Sequence, residues 1–312
     1  MKKSISYLLF FIATVIWGFA FVAQKTAAII PPFLVGALRS LLAVLFLICL
    51  IPITDRLTKN GRRLLNSKKL PDINRAELIG GGVLGILLTV ATSFQQYGIG
   101  SGTSAGKAAF ITALYVVMVP IISSVFGKKP GLNAVISIPI AIVGFYILCI
   151  RPGESFELAD LLILICALLF ACQIIAVDLL SPGCDGVRMS LIQFTVSLIL
   201  NAVMALITQQ TLTAESFIVA LPSLLFLGVL SSGVAYTFQI LGQKQVDPTV
   251  SSVILSLESV FGVIGSAIFL GENMSLREYI GCGVVFFAVL LAQLNPISML
   301  RRLKGDNNER SH

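Results

Sequence analysis

Ten apolar segments, each about 20 residues long, follow one another along the chain and constrain its fold more than any other feature. A helix needs about 20 predominantly apolar residues to cross the hydrocarbon core of a bilayer. Only 12% of the residues are charged, too few for a water-soluble fold of this size. The sequence therefore predicts an all-α polytopic membrane protein. The predicted spans are residues 5–24, 33–53, 77–99, 104–126, 132–150, 157–180, 187–208, 219–243, 249–270 and 276–296.

The positions of the basic residues predict how the spans are oriented. With the N terminus in the cytoplasm, 17 Lys and Arg residues fall on the cytoplasmic side and 4 on the outer side. The largest group lies in the loop 54–76. Such an asymmetry is the positive-inside pattern. We predict a multi-pass protein of the cell inner (plasma) membrane with both termini cytoplasmic, and we attribute the net charge of +7 to topology rather than to a nucleic-acid partner.

Few residues suit catalysis or metal binding. The single histidine is His312, at the C terminus, so a histidine metal site or a Ser-His-Asp triad is not expected. Most of the six cysteines lie in apolar runs without CxxC spacing, which favours buried thiols. The segment 102–108 resembles a phosphate loop but has three residues between its glycines instead of four. We therefore expect no enzyme activity, no metal and no cofactor.

The two halves of the chain resemble each other. FQQYG at 94–98 in the third span matches FQILG at 238–242 in the eighth, 144 residues later. A register one residue shorter aligns the fourth span with the ninth and places Tyr115 opposite Glu258. Because a repeat of five spans reverses the direction of the next repeat, the halves are inverted. Inverted repeats are typical of secondary transporters, since exchanging the conformations of the halves turns an outward-open state into an inward-open one.

This repeat predicts three parts. The first repeat is 1–150 and includes the basic cytoplasmic loop 54–76. The second repeat is 151–297, and a polar cytoplasmic tail follows at 298–312.

Several motifs carry a resemblance to a known family. They are ATVIWGFAF at 13–21, Arg39 early in the second span, GVLSSGVAYTFQILGQKQV at 228–246 and VILSLESVFGVIGSAIFLGENMS at 253–275. In these motifs and their order, nearly the whole chain resembles the EamA family of the drug/metabolite transporter (DMT) superfamily. Ser259 stands where the family usually has proline. The resemblance implies a ten-helix fold, alternating access, a central cavity between the repeats, and transport of amino acids, related metabolites or drugs, often as export.

Polar side chains at membrane depth are costly, so they tend to face a cavity or a partner. Glu258, near the middle of the ninth span, could exchange a proton or accept a substrate ammonium group; alternatively it ties helices together by hydrogen bonds. Arg39 either binds a substrate carboxylate or extends toward the outer surface. The candidate substrate-binding residues are Trp17, Arg39, Gln95, Tyr115, Gln239 and Glu258, and for each the alternative is a structural role in helix packing or interhelical hydrogen bonding.

From these features we predict a secondary active transporter. It moves a small organic metabolite or drug-like molecule, such as an amino acid or a similar zwitterion, by alternating access, with export as the expected direction. Coupling to protons through Glu258 is left open. The expected partners are the substrate, the lipid bilayer and a coupling proton, without nucleic acid. The alternative is a facilitative, channel-like permease and, behind it, a membrane receptor or enzyme.

Overall fold

The computed structural model describes residues 3–59, 74–127, 130–150, 157–270 and 275–293. All regular secondary structure in these ranges is helical, which confirms the predicted all-α class. Eight apolar stretches are long enough to cross a bilayer, and shorter apolar helices at 135–147 and 279–292 bring the number of described spans to ten. The helices are α1 (Lys3–Ala27), α2 (Pro32–Lys59), α3 (Arg75–Gly100), α4 (Ala105–Ala113), α5 (Tyr115–Val125), α6 (Leu132–Cys149), α7 (Leu158–Leu180), α8 (Gly186–Ile207), α9 (Ala214–Leu225), α10 (Tyr236–Gln243), α11 (Pro248–Leu255), α12 (Glu258–Leu270) and α13 (Leu276–Gln293).

These helices follow the ten predicted spans, with ends that shift by a few residues. Helix α2 continues to Lys59, so the beginning of the predicted loop 54–76 is helical. Most of that loop, 60–73, lies outside the described residues, as does the predicted tail 298–312.

Polar residues cap the helices where they begin. The side chain of Asn74 accepts a hydrogen bond from the N–H of Glu77, and the Glu77 carboxylate accepts one from the N–H of Asn74, a capping box at the start of α3. Ser104 caps α4 and Asp185 caps α8. A helix end leaves N–H groups without intrahelical partners, so these caps supply acceptors where the spans meet the surface.

The packing of the helices follows the predicted repeat. Helix α2 packs on α8, α6 on α13 and α4 on α12, so each of these contacts joins a span to its counterpart in the other half. Helix α3 packs on α7 and α8, and its counterpart, the eighth span, packs on α1 and α2. This is the arrangement of two five-span repeats related by a twofold axis in the membrane plane.

Two of the spans are broken near their middle. The fourth span divides into α4 and α5 at Leu114, and the ninth divides into α11 and α12 at 256–257. Each break contains a tighter turn: the N–H of Leu114 donates to the Ile111 carbonyl at 3.2 Å in the fourth span, and the N–H of Leu257 donates to the Ile254 carbonyl at 3.1 Å in the ninth. Tyr115 and Glu258 are the first residues after the two breaks, so the repeat gives them equivalent positions.

The eighth span contains a π-helical segment, Phe226–Ala235, between α9 and α10. Gly228 and Gly233, five residues apart, both face α2. A Cβ atom at Gly228 would lie 2.4 Å from the Leu42 Cβ, and one at Gly233 would lie 2.5 Å from a ring carbon of Phe46. The i→i+5 hydrogen bonds of a π-helix bring residues five apart onto one face, so the two glycines together allow α2 to approach closely.

Candidate functional site

A cavity lies at the centre of the bundle and is lined by both repeats. The space between its walls is about 470 Å³, its opening included. All six candidate residues border it, namely Trp17, Arg39, Gln95, Tyr115, Gln239 and Glu258. The fold therefore brings together residues that are up to 241 positions apart, from Trp17 to Glu258. Their role in binding a substrate stays a prediction.

Glu258 borders this cavity and has one carboxyl oxygen without a hydrogen-bond partner among the described residues. Its side chain is only 5% exposed, and its carboxyl group is hydrogen-bonded to the Tyr115 hydroxyl. The other carboxyl oxygen, Oε1, is buried and has no hydrogen-bond partner among the described residues. Burying such a group without a partner is costly, so the geometry favours a donor that arrives with a ligand, or a proton.

The Arg39 guanidinium has hydroxyl groups, and no carboxylate, as its partners among the described residues. Its Nε donates to the Ser232 hydroxyl at 3.0 Å and its Nη2 to the Ser231 hydroxyl at 3.3 Å. The ion pairs in the described part of the chain do not include Arg39. Arg39 and Glu258 therefore share one cavity wall without neutralising each other.

Aromatic rings line another part of the wall. The centroids of the Trp17 and Tyr236 rings are 4.7 Å apart, and the indole N–H of Trp17 donates to the Ser231 carbonyl at 3.2 Å. Phe194 also contacts the Tyr236 ring, at 5.6 Å. Trp17 is thus held in place by a hydrogen bond and a ring contact, and it gives the cavity an amphipathic surface.

The two candidate glutamines bond to neighbouring helices. Gln239 and Gln173 exchange two amide hydrogen bonds, of 3.0 and 3.4 Å, and Gln95 donates to the Thr112 hydroxyl at 3.1 Å. These contacts are interhelical, as the structural alternative expects. Both side chains nevertheless border the cavity.

Five further polar residues of the site were missed by the sequence reasoning, and one of them, Gln24, borders the cavity from α1. Thr112, Ser231 and Tyr236 border the cavity, and Ser232 holds Arg39. The serines at 231–232 carried a usable signal, because polar side chains in the middle of an apolar span tend to face a cavity or a partner. Tyr236 was a weaker signal in the sequence, since tyrosine is also a common packing residue.

Two further pockets lie between the central cavity and one end of the bundle. The first lies between α2, α3 and α8 and shares Arg39 with the central cavity. The second is at the ends of α1 and α3, and it shares Pro32 and Gln96 with the first. We call the end of the bundle where α1 begins the amino-terminal face. By these shared lining residues, the three pockets follow one another from the centre toward the face opposite the amino-terminal face.

Charged side chains join the same helices at the amino-terminal face. Arg188, at the start of α8, pairs with Asp55 near the end of α2 at 3.5 Å. The Glu77 carboxylate of α3 accepts a hydrogen bond from the N–H of Asp185 at 3.0 Å. Arg188 and Glu77 are both almost fully buried. These contacts hold α2, α3 and α8 together at this face.

The equivalent contact at the opposite face involves an uncharged side chain. Gln210, after the end of α8, accepts hydrogen bonds from the N–H groups of Phe33 and Leu34 at the start of α2, at 3.1 and 3.2 Å. Its amide also donates to the Tyr97 hydroxyl at 3.3 Å. The α2–α8 pair is therefore joined by ions at one end and by an amide at the other, where the cavities lie.

A sequence model of the EamA-like transporter family matches the chain twice, over residues 4–150 and 157–294. The chain belongs to the EamA-like transporter family. This confirms the family and the two-repeat fold indicated by the sequence motifs, and it identifies the protein as a multi-pass membrane transporter. The two matches fall within the predicted repeats 1–150 and 151–297, whose boundaries stay predictions.

The chain is also similar to individual proteins. It is 28% identical over 289 residues to an uncharacterized transporter from Archaeoglobus fulgidus, covering 91% of this chain and 84% of that protein. A solved structure described only as a crystal structure of a protein has a TM-score of 0.72 at 16% identity, covering 97% of this chain and 99% of the other. At that identity the likeness shows the fold alone.

Proposed function

We propose that this EamA-family member is a secondary transporter for a small zwitterionic solute of the amino-acid class. The observation that carries the proposal is that Arg39 and Glu258 border one cavity and are not paired with each other. A zwitterion satisfies both groups at once. Its carboxylate binds the guanidinium, and its ammonium group donates to the unused Oε1 of Glu258.

The rest of the cavity supports the same substrate class. Trp17 and Tyr236 offer an aromatic surface to an apolar or aromatic side chain of the solute. Thr112 and Gln95 add uncharged polar groups, which interact with a zwitterion without the full cost of desolvating a further charge. A phosphate ester would need several cations, and among the residues that line the central cavity Arg39 is the only one.

The proposed mechanism is alternating access. The pockets on the side of the opposite face and the Asp55–Arg188 pair at the amino-terminal face support a state that is more open on one side than on the other. In the exchange of conformations between inverted repeats, α2 and α8 separate at the amino-terminal face. Glu258, which lies at a helix break beside the cavity, is the proposed site of proton exchange.

Topology and direction complete the proposal. We propose that both termini are cytoplasmic, in the cell inner (plasma) membrane, and that the transporter exports its substrate, as the family resemblance implies. Reporter domains fused to the C terminus, one fluorescent only in the cytoplasm and one active only outside it, test the topology. Cells preloaded with a labelled amino acid and then diluted test the direction, because an exporter accelerates the loss of label.

The sole tryptophan gives a direct test of substrate class, because Trp17 borders the cavity and its fluorescence therefore reports on binding. Purified protein is titrated with leucine, phenylalanine, glutamate and lysine. The best binder is then compared with its methyl ester and its deaminated acid. We expect each analogue to bind at least about tenfold more weakly, because each leaves one buried charge without its partner.

Two variants test whether the loss of affinity in these analogues comes from Arg39 and Glu258. Arg39→Gln is expected to bind the amino acid no more tightly than its methyl ester. Glu258→Gln is expected to bind the amino acid no more tightly than its deaminated acid. Thr195→Val is the matched control, because the Thr195 hydroxyl bonds only within α8, to the Leu191 carbonyl. An ester that binds as tightly as the amino acid would contradict the proposal, and so would the absence of binding by the whole panel.

A further inference from the structure

The two serines that hold Arg39 are adjacent in sequence and lie in the π-helical segment Phe226–Ala235. On an α-helix, neighbouring side chains diverge widely around the axis. The wider turn of a π-helix, with its i→i+5 hydrogen bonds, reduces this divergence. The hydroxyls of Ser231 and Ser232 therefore reach two nitrogens of one guanidinium. π-helical turns occur frequently at functional sites, which agrees with this use of the segment.

The same segment fixes the distance to α2. A Cβ atom at Gly228 would lie 3.1 Å from the Arg39 carbonyl oxygen, so the absence of a side chain there lets the α2 backbone come close enough for the hydrogen bonds. The Ser231 carbonyl also accepts the N–H of Trp17. One segment of the eighth span thus positions both the cation and the aromatic ring of the cavity.

The partners of the Arg39 guanidinium are neutral hydroxyl groups. A carboxylate would hold a guanidinium more tightly than a hydroxyl does, but it would also neutralise its charge. Hydroxyl groups fix the geometry and leave the positive charge available. The third guanidinium nitrogen, Nη1, has no hydrogen-bond partner within the described ranges, and Arg39 borders the central cavity.

We infer that Ser231 and Ser232 are positioning residues that hold Arg39 with its free N–H groups toward the cavity, as a subsite for a carboxylate or similar small anion. The inference rests on the proposed function in that the substrate carboxylate is the natural occupant. It assigns substrate specificity to two residues that need not touch the substrate. Without them the guanidinium keeps its charge but loses its fixed direction.

Quenching of Trp17 tests this inference without any transport measurement. The full chain is purified into lipid nanodiscs, and its fluorescence is quenched in parallel with iodide, an anion, and acrylamide, a neutral molecule. An anion subsite beside Trp17 concentrates iodide but not acrylamide. We expect iodide quenching of the natural protein to saturate and to be competed by acetate, while acrylamide quenching rises linearly.

Variants of Arg39 and of the two serines distinguish the charge of the guanidinium from its positioning by the hydroxyl groups. Arg39→Gln is expected to abolish the saturable iodide quenching. Ser231→Ala and Ser232→Ala, made singly, are each expected to lower the ratio of iodide to acrylamide quenching by about threefold, because each removes one charge-assisted hydrogen bond. Thr237→Val is the matched control in the next turn, because among the described residues the Thr237 hydroxyl bonds to the Gly233 carbonyl of the same span and not to Arg39, so it should leave the ratio unchanged.

A purely structural role for the serines gives a different signature. Loosened packing would raise quenching by both molecules, whereas loss of the subsite lowers iodide quenching alone. A ratio that falls in Arg39→Gln but stays unchanged in both serine variants would overturn the inference, and so would a ratio that is the same in all proteins. The probe in this experiment is iodide and not an amino acid. A ratio of iodide to acrylamide quenching that depends on the serines therefore supports the anion subsite even if no amino acid binds. Failure of the proposed function would be a separate result.

Discussion

Replacing Gly18 by alanine tests the packing that shapes the cavity. Gly18 lies where α1 crosses α12, next to Trp17 in sequence. A Cβ atom there would lie 2.2 Å from the Phe261 Cβ, 2.7 Å from the Phe261 carbonyl carbon and 2.9 Å from the Glu258 carbonyl oxygen. Two of these three atoms belong to the backbone of α12. A change of side-chain rotamer therefore cannot relieve the overlap, and the helices must separate.

The magnitude follows from these distances. Ordinary contacts begin at 3.4 Å, so the helices must move apart by 1.2 Å, the difference between 3.4 and 2.2 Å. Overpacking of this kind costs about 3 kcal/mol, at the upper end of the usual range because the backbone has to move. Alanine is the better helix former by about 1 kcal/mol. We therefore expect Gly18→Ala to lower the free energy of unfolding by about 2 kcal/mol.

Thermal unfolding of the purified protein measures this effect. A dye that fluoresces on reacting with thiols reports unfolding, because Cys166 and Cys184 are buried. We expect Tm to fall by about 5 °C. The matched control is Gly82→Ala in α3, where the added Cβ has no neighbour within 4 Å, and we expect its Tm to rise slightly. Equal changes in Tm for the two variants would refute the packing argument.

Three further changes test other parts of the structure. Asp160→Asn removes the buried partner of Lys107, at 2.6 Å, and should destabilise the protein by about 3 kcal/mol, measured as a lower Tm; an unchanged Tm would contradict this. At solute concentrations that saturate its weakened site, Glu258→Gln should keep solute exchange in proteoliposomes but lose accumulation driven by an imposed pH gradient, so accumulation by the variant would exclude its proton role. Asp55→Asn leaves Arg188 unpaired and should speed amide hydrogen exchange at the start of α8 by about tenfold, whereas an unchanged rate would show that the pair does not close this face.

The spans and the repeat could be predicted because their causes are local. A bilayer fixes the length and apolar content of a crossing helix, so the ten segments were readable in the sequence. The alignment of the fourth span with the ninth, one residue shorter in register than the FQxxG match, makes Tyr115 and Glu258 counterparts. The cost of polar groups at membrane depth selected Arg39 and Glu258, and both border the cavity.

The details that shape the site could not be predicted, because they depend on contacts between distant residues. The sequence predicts the fourth and ninth spans each as a single segment, and neither Pro120 nor the polar residues at 256–259 by themselves place the breaks before Tyr115 and Glu258. The π-helical segment is equally unmarked. Arg39 and Ser232 are 193 residues apart, so their hydrogen bond exists only once α2 packs on the eighth span.

Counterflow in proteoliposomes tests the central claim most directly. Vesicles that contain the purified protein are loaded with the unlabelled amino acid identified by the Trp17 titration and diluted into a trace of the labelled one. A carrier that recognises zwitterions through Arg39 and Glu258 gives transient accumulation of label, which is lost in Arg39→Gln and kept in Thr195→Val. Equilibration without an overshoot in the natural protein would indicate a channel, and an overshoot that persists in Arg39→Gln would contradict the assigned site.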